Sequence, residues 1–285
     1  MIHSFNSIKR KILCLVVFIS VSSLFLNPSQ AATKTAKATL TAKAAILVDC
    51  DKGKIIFSRN KSLKLECAST SKLLTGLVAL EKIGTKAQVR ISHNSWDTEP
   101  TKAGLTKNAY YSSGDLIAAA LIASSNDACV ALAEAVAGSE KEFADLMNEK
   151  ARRLGAVNSN FVTSSGLPAK GQYSNVYDLY LITRAAMQNS FIKAAMKQKI
   201  FIIEGSDNRT IKLVNHNKLL FRWSSPLVLG KTGYTKRARH CYAGVAYGKD
   251  KQYVIAILGS RKPWNDIQYI ISSYAKLKIT KAKRK

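Results

Sequence analysis

Ser69-Thr70-Ser71-Lys72-Leu73-Leu74-Thr75-Gly76-Leu77-Val78-Ala79-Leu80 is the stretch on which the reading of the fold turns. Leu73, Leu74, Leu77, Val78 and Leu80 recur at three- and four-residue spacing, the apolar stripe of a helix, and Gly84 supplies a stop. Immediately upstream the pattern is different. Ala44 to Asp49 is a short apolar run that ends in the turn Asp51-Lys52-Gly53 and resumes as Ile55-Ile56-Phe57, a β-hairpin signal. The chain therefore changes from strand to helix near Ser69.

Downstream, residues 115–137 are rich in Ala, Leu and Ile and are interrupted only by Ser124-Ser125-Asn126-Asp127, which predicts two helices with a polar break. Ser139 with Glu142 forms a capping box for a helix running to about Leu154, closed by Gly155, and Tyr177 to Met187 predicts another. Strands return after residue 200, at Phe201–Ile203, Ile211–Val214, Leu227–Gly230, Tyr242–Tyr247 and Tyr253–Leu258, with Gly248-Lys249-Asp250 turning the last hairpin. Ile267 to Leu277 reads as a closing helix. Strands at both ends around a helical block imply one sheet assembled from the two ends of the chain, with helices packed on it.

The composition, 47% hydrophobic and 22% charged over 285 residues, suits a globular protein with a sizeable core. The charge is unusual: 44 Lys and Arg against 18 Asp and Glu, a net +26. Such an excess favours polyanions, whether nucleic acid, anionic membrane lipid or acidic wall polymer. The amino terminus selects among them. Lys9-Arg10-Lys11, the mostly apolar run from Ile12 to Leu26 and the small residues of Ser29-Gln30-Ala31 predict a signal peptide over 1–31. An exported protein meets the periplasm or another extracytoplasmic part of the envelope, so nucleic acid is not expected as a partner. Residues 32–42 read as a flexible leader, 43–277 as one catalytic domain and 278–285 as a solvated basic tail. Cys50, Cys67, Cys129 and Cys241 are widely spaced, with no CxxC pair to suggest zinc, and read as small buried hydrophobes.

Three polar groups carry the chemistry. In Ser69-Thr70-Ser71-Lys72 a helical spacing of three puts the Lys72 amine beside the Ser69 hydroxyl, and a desolvated lysine can act as base toward a serine nucleophile. Taken alone, the same pattern is a helix cap with a solvent-facing lysine. Ser124-Ser125-Asn126 offers a hydroxyl and an amide, or simply a loop between helices. In Lys231-Thr232-Gly233, following Leu227-Val228-Leu229-Gly230, strand alternation points Lys231 and Gly233 one way and Thr232 the other. The bland alternative there is a basic edge strand.

Together, and in this order, SxxK, SxN and KTG make the motif set of penicillin-binding proteins and β-lactamases. The chain resembles the D-alanyl-D-alanine carboxypeptidases, peptidase family S11, over roughly residues 43–277. Further blocks carry the resemblance: Ala45 to Asp49 with Gly53-Lys54, Asn126 to Cys129, Gly166-Leu167, Tyr173-Ser174 with Asp178-Leu179, and Asn215 to Leu220. It implies an α/β (α+β) fold of the serine DD-peptidase/β-lactamase type: an antiparallel five-stranded sheet from both chain ends, helices on both faces and a helical subdomain. It implies that Ser69 attacks the carbonyl of a peptidoglycan stem peptide and that Lys72 takes its proton. Ser124 and Lys231 would protonate the leaving D-alanine, while Asn126 positions substrate and Lys72. Thr232 would bind the terminal carboxylate, with Arg261 as a second partner, and the N–H groups of Ser69 and Tyr234, beside Gly233, would form the oxyanion hole. β-Lactams would be covalent inhibitors, and no metal or organic cofactor is expected.

The sequence departs from the family at Cys67 before Ala68-Ser69, at Ser125 and Arg239 in place of glycine, and at Gln172 in place of histidine. A class A β-lactamase would need a glutamate in the loop Asn158–Gln172, which holds no acidic residue. A DD-endopeptidase or a non-catalytic basic wall-binding protein are the alternative readings.

Overall fold

A computed structural model describes residues 40–282. The hairpin appears as strands β1 (Ala44–Asp49) and β2 (Ile55–Arg59). A 3₁₀ turn, Ala68–Ser71, then leads into helix α1 (Lys72–Ile83). Strand β3 (Gln88–Arg90), helix α2 (His93–Trp96) and strand β4 (Tyr110–Ser112) precede helices α3 (Ser113–Ile122), α4 (Asn126–Ala137) and α5 (Glu140–Arg153). The polar break is thus the link between α3 and α4. The Ser139 hydroxyl accepts from Glu142 N at the start of α5, the local bond expected of that cap.

Helices α6 (Val176–Gln188) and α7 (Ser190–Lys197) follow, then strands β5 (Ile200–Glu204) and β6 (Thr210–Val214), helix α8 (Leu219–Arg222) and strand β7 (Trp223–Ser225). Long strands β8 (Leu227–Thr235), β9 (Arg239–Tyr247) and β10 (Gln252–Ser260) lead to helix α9 (Pro263–Ile270), a π-helical turn and the two-residue strand β11 (Thr280–Lys281). The main sheet has the order β2-β1-β10-β9-β8, every pairing antiparallel. It is the five-stranded sheet expected from the two chain ends.

Strand β1 is apolar at every position before Asp49 because both of its faces are covered. Ala44, Ile46 and Val48 join the core under α1, α3, α4 and α6, whereas Ala45 and Leu47 join a second core with Ile267, Ile270 and Ile271. Each fully buried aliphatic side chain of this kind contributes about 1.5–3 kcal/mol. Strand β8 lies at the sheet edge, and its free side faces the turn that carries Ser69.

Three expectations need correction. The strands at 201–203 and 211–214 do not enter the main sheet; β5 and β6 pair only with each other. The leader does not extend to residue 42: Thr41 N and Oγ1 donate to Asp266 at 2.8 and 2.7 Å, and Ala42 is buried. The tail is not merely solvated, since β11 pairs with β7 and Ala282 N donates to Arg222 O at 2.9 Å. Its basic composition concealed a backbone pairing, to which the Ser224 hydroxyl adds bonds to Thr280 O and Lys281 O at 3.2 and 3.4 Å. The signal-peptide reading of 1–31 and the rest of the leader lie outside the described residues. No described helix is long and apolar enough to cross a membrane.

Candidate active site

Residue Lys72 is the first residue of α1, three after Ser69, and is fully buried. Its Nζ lies 2.9 Å from Ser69 Oγ, 2.8 Å from Asn126 Oδ1 and 2.5 Å from the Ser165 carbonyl oxygen. The last two partners can only accept. Nζ donates to all three, as a lysine ammonium with three hydrogens can; a deprotonated amine would keep two hydrogens for Asn126 and Ser165 and turn a lone pair toward the Ser69 hydroxyl. Burial pushes the Lys72 pKa below the ordinary 10.5, with nearby acidic groups and thiols acting weakly the other way.

Each partner is fixed by its own element. Asn126 begins α4, where its N donates to Thr101 O at 2.7 Å and its Nδ2 to Glu99 O at 2.9 Å. One amide N–H is therefore spent on the protein and the other has no bond among the described residues. The 99–105 loop is held in turn by Asp127, whose carboxylate accepts from Ala103 N, Gly104 N and Leu105 N at 2.9, 3.0 and 3.3 Å and from Ala128 N at 2.9 Å. Asp127→Ala is expected to cost about 3 kcal/mol by leaving these donors, two of them on the buried Leu105 and Ala128, without their acceptor, read as a lowered denaturation midpoint. A loss below about 0.5 kcal/mol would show that the loop stands without it.

Ser165 lies in the 158–172 loop, which docks on α1 through Thr75 Oγ1 donating to Ser164 O at 2.5 Å. Gly166 (φ +80°) packs so closely that a Cβ would fall 2.2 Å from Ala68 O, so this position admits only glycine. Gln172 braces the loop: its Oε1 accepts from Val162 N and Thr163 N at 3.0 and 2.9 Å, and its Nε2 donates to Leu167 O at 2.5 Å. The glutamine thus does structural work where relatives often carry histidine. The loop has no acid of its own, but Glu140 reaches it from α5, accepting from Ser164 N at 3.0 Å.

The third motif meets the first directly. A Cβ on Gly233 would lie 2.9 Å from Ser69 N, so β8 approaches the turn that carries Ser69 at contact distance only because residue 233 has no side chain. Lys231 is buried, and its Nζ donates to Thr232 O at 2.9 Å. Burial, and then the charge of Lys72, push its pKa well below 10.5. Thr232 is half-buried and Tyr234 exposed. Ser124 is buried with φ +62° and Ala68 has φ +46°; non-glycine residues in this region cost on the order of 1–2 kcal/mol each and cluster where function demands them. Arg239, standing where relatives usually have glycine, has φ +58°, which accounts for that preference.

The structure thus joins Ser69, Lys72 and Asn126 in one network and sets Lys231 and Gly233 beside it. Arg261 is exposed just past the end of β10, and its N donates to Thr41 Oγ1 at 3.1 Å. It stands at the same end of the sheet as Tyr234, because Ser260 and Tyr234 both pair with His240. His216, noted in the sequence only as part of a family block, is electrostatically coupled to the site. Desolvation, then the charges of Lys231 and Lys72, push its pKa down to about 4, so it is neutral near pH 7.

Cys129 and Cys67 are buried, and that burial pushes their pKa values up to about 11 and 12. They stay as thiols and do not compete with Ser69. Among the described residues no cluster of His, Cys, Asp or Glu is arranged to hold a metal ion.

The family model for D-alanyl-D-alanine carboxypeptidases, peptidase family S11, matches residues 30–262. The chain belongs to this family. Among S11 relatives, the D-alanyl-D-alanine carboxypeptidase DacF of Bacillus subtilis is 31% identical over 258 residues, covering 87% of this chain and 66% of its own length. DacC of Escherichia coli is 34% identical over 253 residues, covering 84% of this chain and 62% of its own. The chain therefore spans less than two thirds of the length of these two curated S11 members. A solved D-alanyl-D-alanine carboxypeptidase of Mycobacterium tuberculosis matches with a TM-score of 0.78 at 28% identity, over 86% of this chain and 95% of that one.

Proposed function

We propose that the chain is a serine D-alanyl-D-alanine carboxypeptidase that removes the terminal D-alanine from peptidoglycan stem peptides through an acyl-enzyme on Ser69. The observation that carries this reading is the fully buried Lys72 amine, whose Nζ lies 2.9 Å from Ser69 Oγ while Asn126 Oδ1 and Ser165 O, at 2.8 and 2.5 Å, hold it in place.

Lys72 takes the Ser69 proton as Oγ attacks the carbonyl carbon of the D-alanyl–D-alanine bond. The resulting oxyanion sits between the N–H groups of Ser69 and Tyr234, which Gly233 brings alongside; such donors are worth about 3–4 kcal/mol in the transition state. Thr232 holds the terminal carboxylate; Arg261, at the Tyr234 end of the sheet, lies toward the acyl side. The C–N bond breaks as the proton on Lys72 passes through Ser124, aided by Lys231, to the leaving amine. Water then cleaves the ester, restoring the Ser69 hydroxyl and releasing the shortened peptide. A β-lactam carbonyl presents the same electrophile, and attack opens its ring to leave a covalent adduct on Ser69. Substrate of this kind lies in the cell envelope, consistent with residues 1–31 acting as an export signal.

Release of free D-alanine from a stem pentapeptide by the purified protein is the expected result. Cleavage confined to a cross-linked dimer, with no D-alanine from the pentapeptide, would convert the assignment to an endopeptidase.

A further inference from the structure

A groove of 530 Å³ opens beside the nucleophile turn. Its walls come from the segment leading to Ser69, with Lys64 and Glu66, from the 158–172 loop and its neighbour Tyr173, with Lys170, and from the turn between β8 and β9, with Arg237; Lys43 lines it as well. Four cations thus face a single carboxylate. Glu66 Oε1 is already taken by Arg237 Nε at 2.8 Å. Lys43, Lys64 and Lys170 form no ion pair among the described residues, and Lys64 rests on the Tyr173 ring, 4.6 Å from its centroid. A concave surface lined by unbalanced positive charge concentrates anions.

The course of β8 says which part of a substrate meets this groove. The nucleophile faces Gly233. Lys231 and Thr232, assigned to the leaving group and its carboxylate, lie on one side of that point; Tyr234, Thr235 and the turn bearing Arg237 lie on the other. A peptide whose scissile carbonyl sits at Ser69 therefore runs its acyl side toward the groove.

We infer that the groove is a subsite for a carboxylate carried on the acyl side of the substrate, on a residue amino-terminal to the scissile bond. The inference rests on the carboxypeptidase reading for its polarity along β8. It is tested with two peptides ending in D-alanyl-D-alanine that differ only in an upstream side chain, a carboxylate in one and its carboxamide in the other.

Two readouts are needed: kcat/KM for D-alanine release by the wild type, and direct binding to Ser69→Ala. The acid peptide is expected to be preferred by about tenfold in both, with the ratio shrinking as salt rises. In the double variant Lys64→Gln, Lys170→Gln the ratio should fall to near one. Lys64→Arg, Lys170→Arg should keep it, which separates charge from a folding defect because each ratio is taken within one protein. Equal handling of acid and amide by a wild type that hydrolyses both would overturn the subsite, as would a preference that survives the glutamine pair. Displacement of a phosphate polymer without any peptide preference would also overturn it, giving the groove to wall polymer instead. A binding preference without D-alanine release would leave the subsite standing and remove the carboxypeptidase reading.

Discussion

Lys72→Met is expected to lower kcat/KM for D-alanine release by about 10³-fold or more, near the upper range for a general base, because Ser69 then has no proton acceptor within reach. Methionine matches the length of the buried chain, so the core remains filled. What is lost is the pairing of Asn126 Oδ1 and Ser165 O, about 1–3 kcal/mol each, against which stands relief from burying an ionisable amine. The variant should therefore fold.

The pH dependence gives the sharper test. Because the folded pKa of Lys72 is depressed, acylation in the wild type should rise with pH through a value below 10.5, as the free amine appears. The sign for stability follows from the same shift. Between the folded pKa and 10.5 the unfolded chain binds more protons than the native one, so stability contributed by this group rises with pH across that window. Lys72→Met should lose both the acylation rise and the stability increment. Acylation by a fluorescent penicillin within tenfold of wild type, with the pH rise intact, would remove Lys72 from the role of base and pass it to Lys231, the other buried amine of the site.

Ser69→Ala is expected to abolish the covalent adduct with penicillin and to reduce peptide hydrolysis by about 10⁴-fold or more, since losing the nucleophile removes the acyl-enzyme route entirely. The side chain is half-buried and its one hydrogen-bonding partner among the described residues is Lys72, so alanine should leave the fold and melting temperature nearly unchanged. Mass spectrometry of the intact protein after exposure to a β-lactam is the direct measurement. Persistence of a stoichiometric adduct in this variant would mean that another group attacks. The neighbouring Cys67 is a poor substitute, because burial holds its thiol pKa at about 12.

Much of this architecture could be read from local pattern. Period-3.6 spacing located α1, α3, α4, α5 and α6, and apolar runs located β1, β2 and the three long C-terminal strands, because burial of one stripe or of both faces leaves a mark on consecutive residues. Lys72 beside Ser69 also followed from helical geometry, as the pair is three apart. Short elements escaped. α2, α8, β3, β4 and β7 span three or four residues each, too few for a period to show, and β11 has only two.

What the amino-acid order determined by itself was which groups are candidates for the chemistry and the elements that carry them: a serine and lysine on one turn, a serine and asparagine in a helical break, a lysine, threonine and glycine on a strand. Only the tertiary structure decided how the lysine is held. Two of its hydrogen acceptors lie 54 and 93 residues away, and one is a main-chain carbonyl, a group that every residue possesses and no side chain announces. The same is true of Glu140 reaching a loop that has no acid of its own, and of the cationic groove, whose charges come from separated segments brought together by packing.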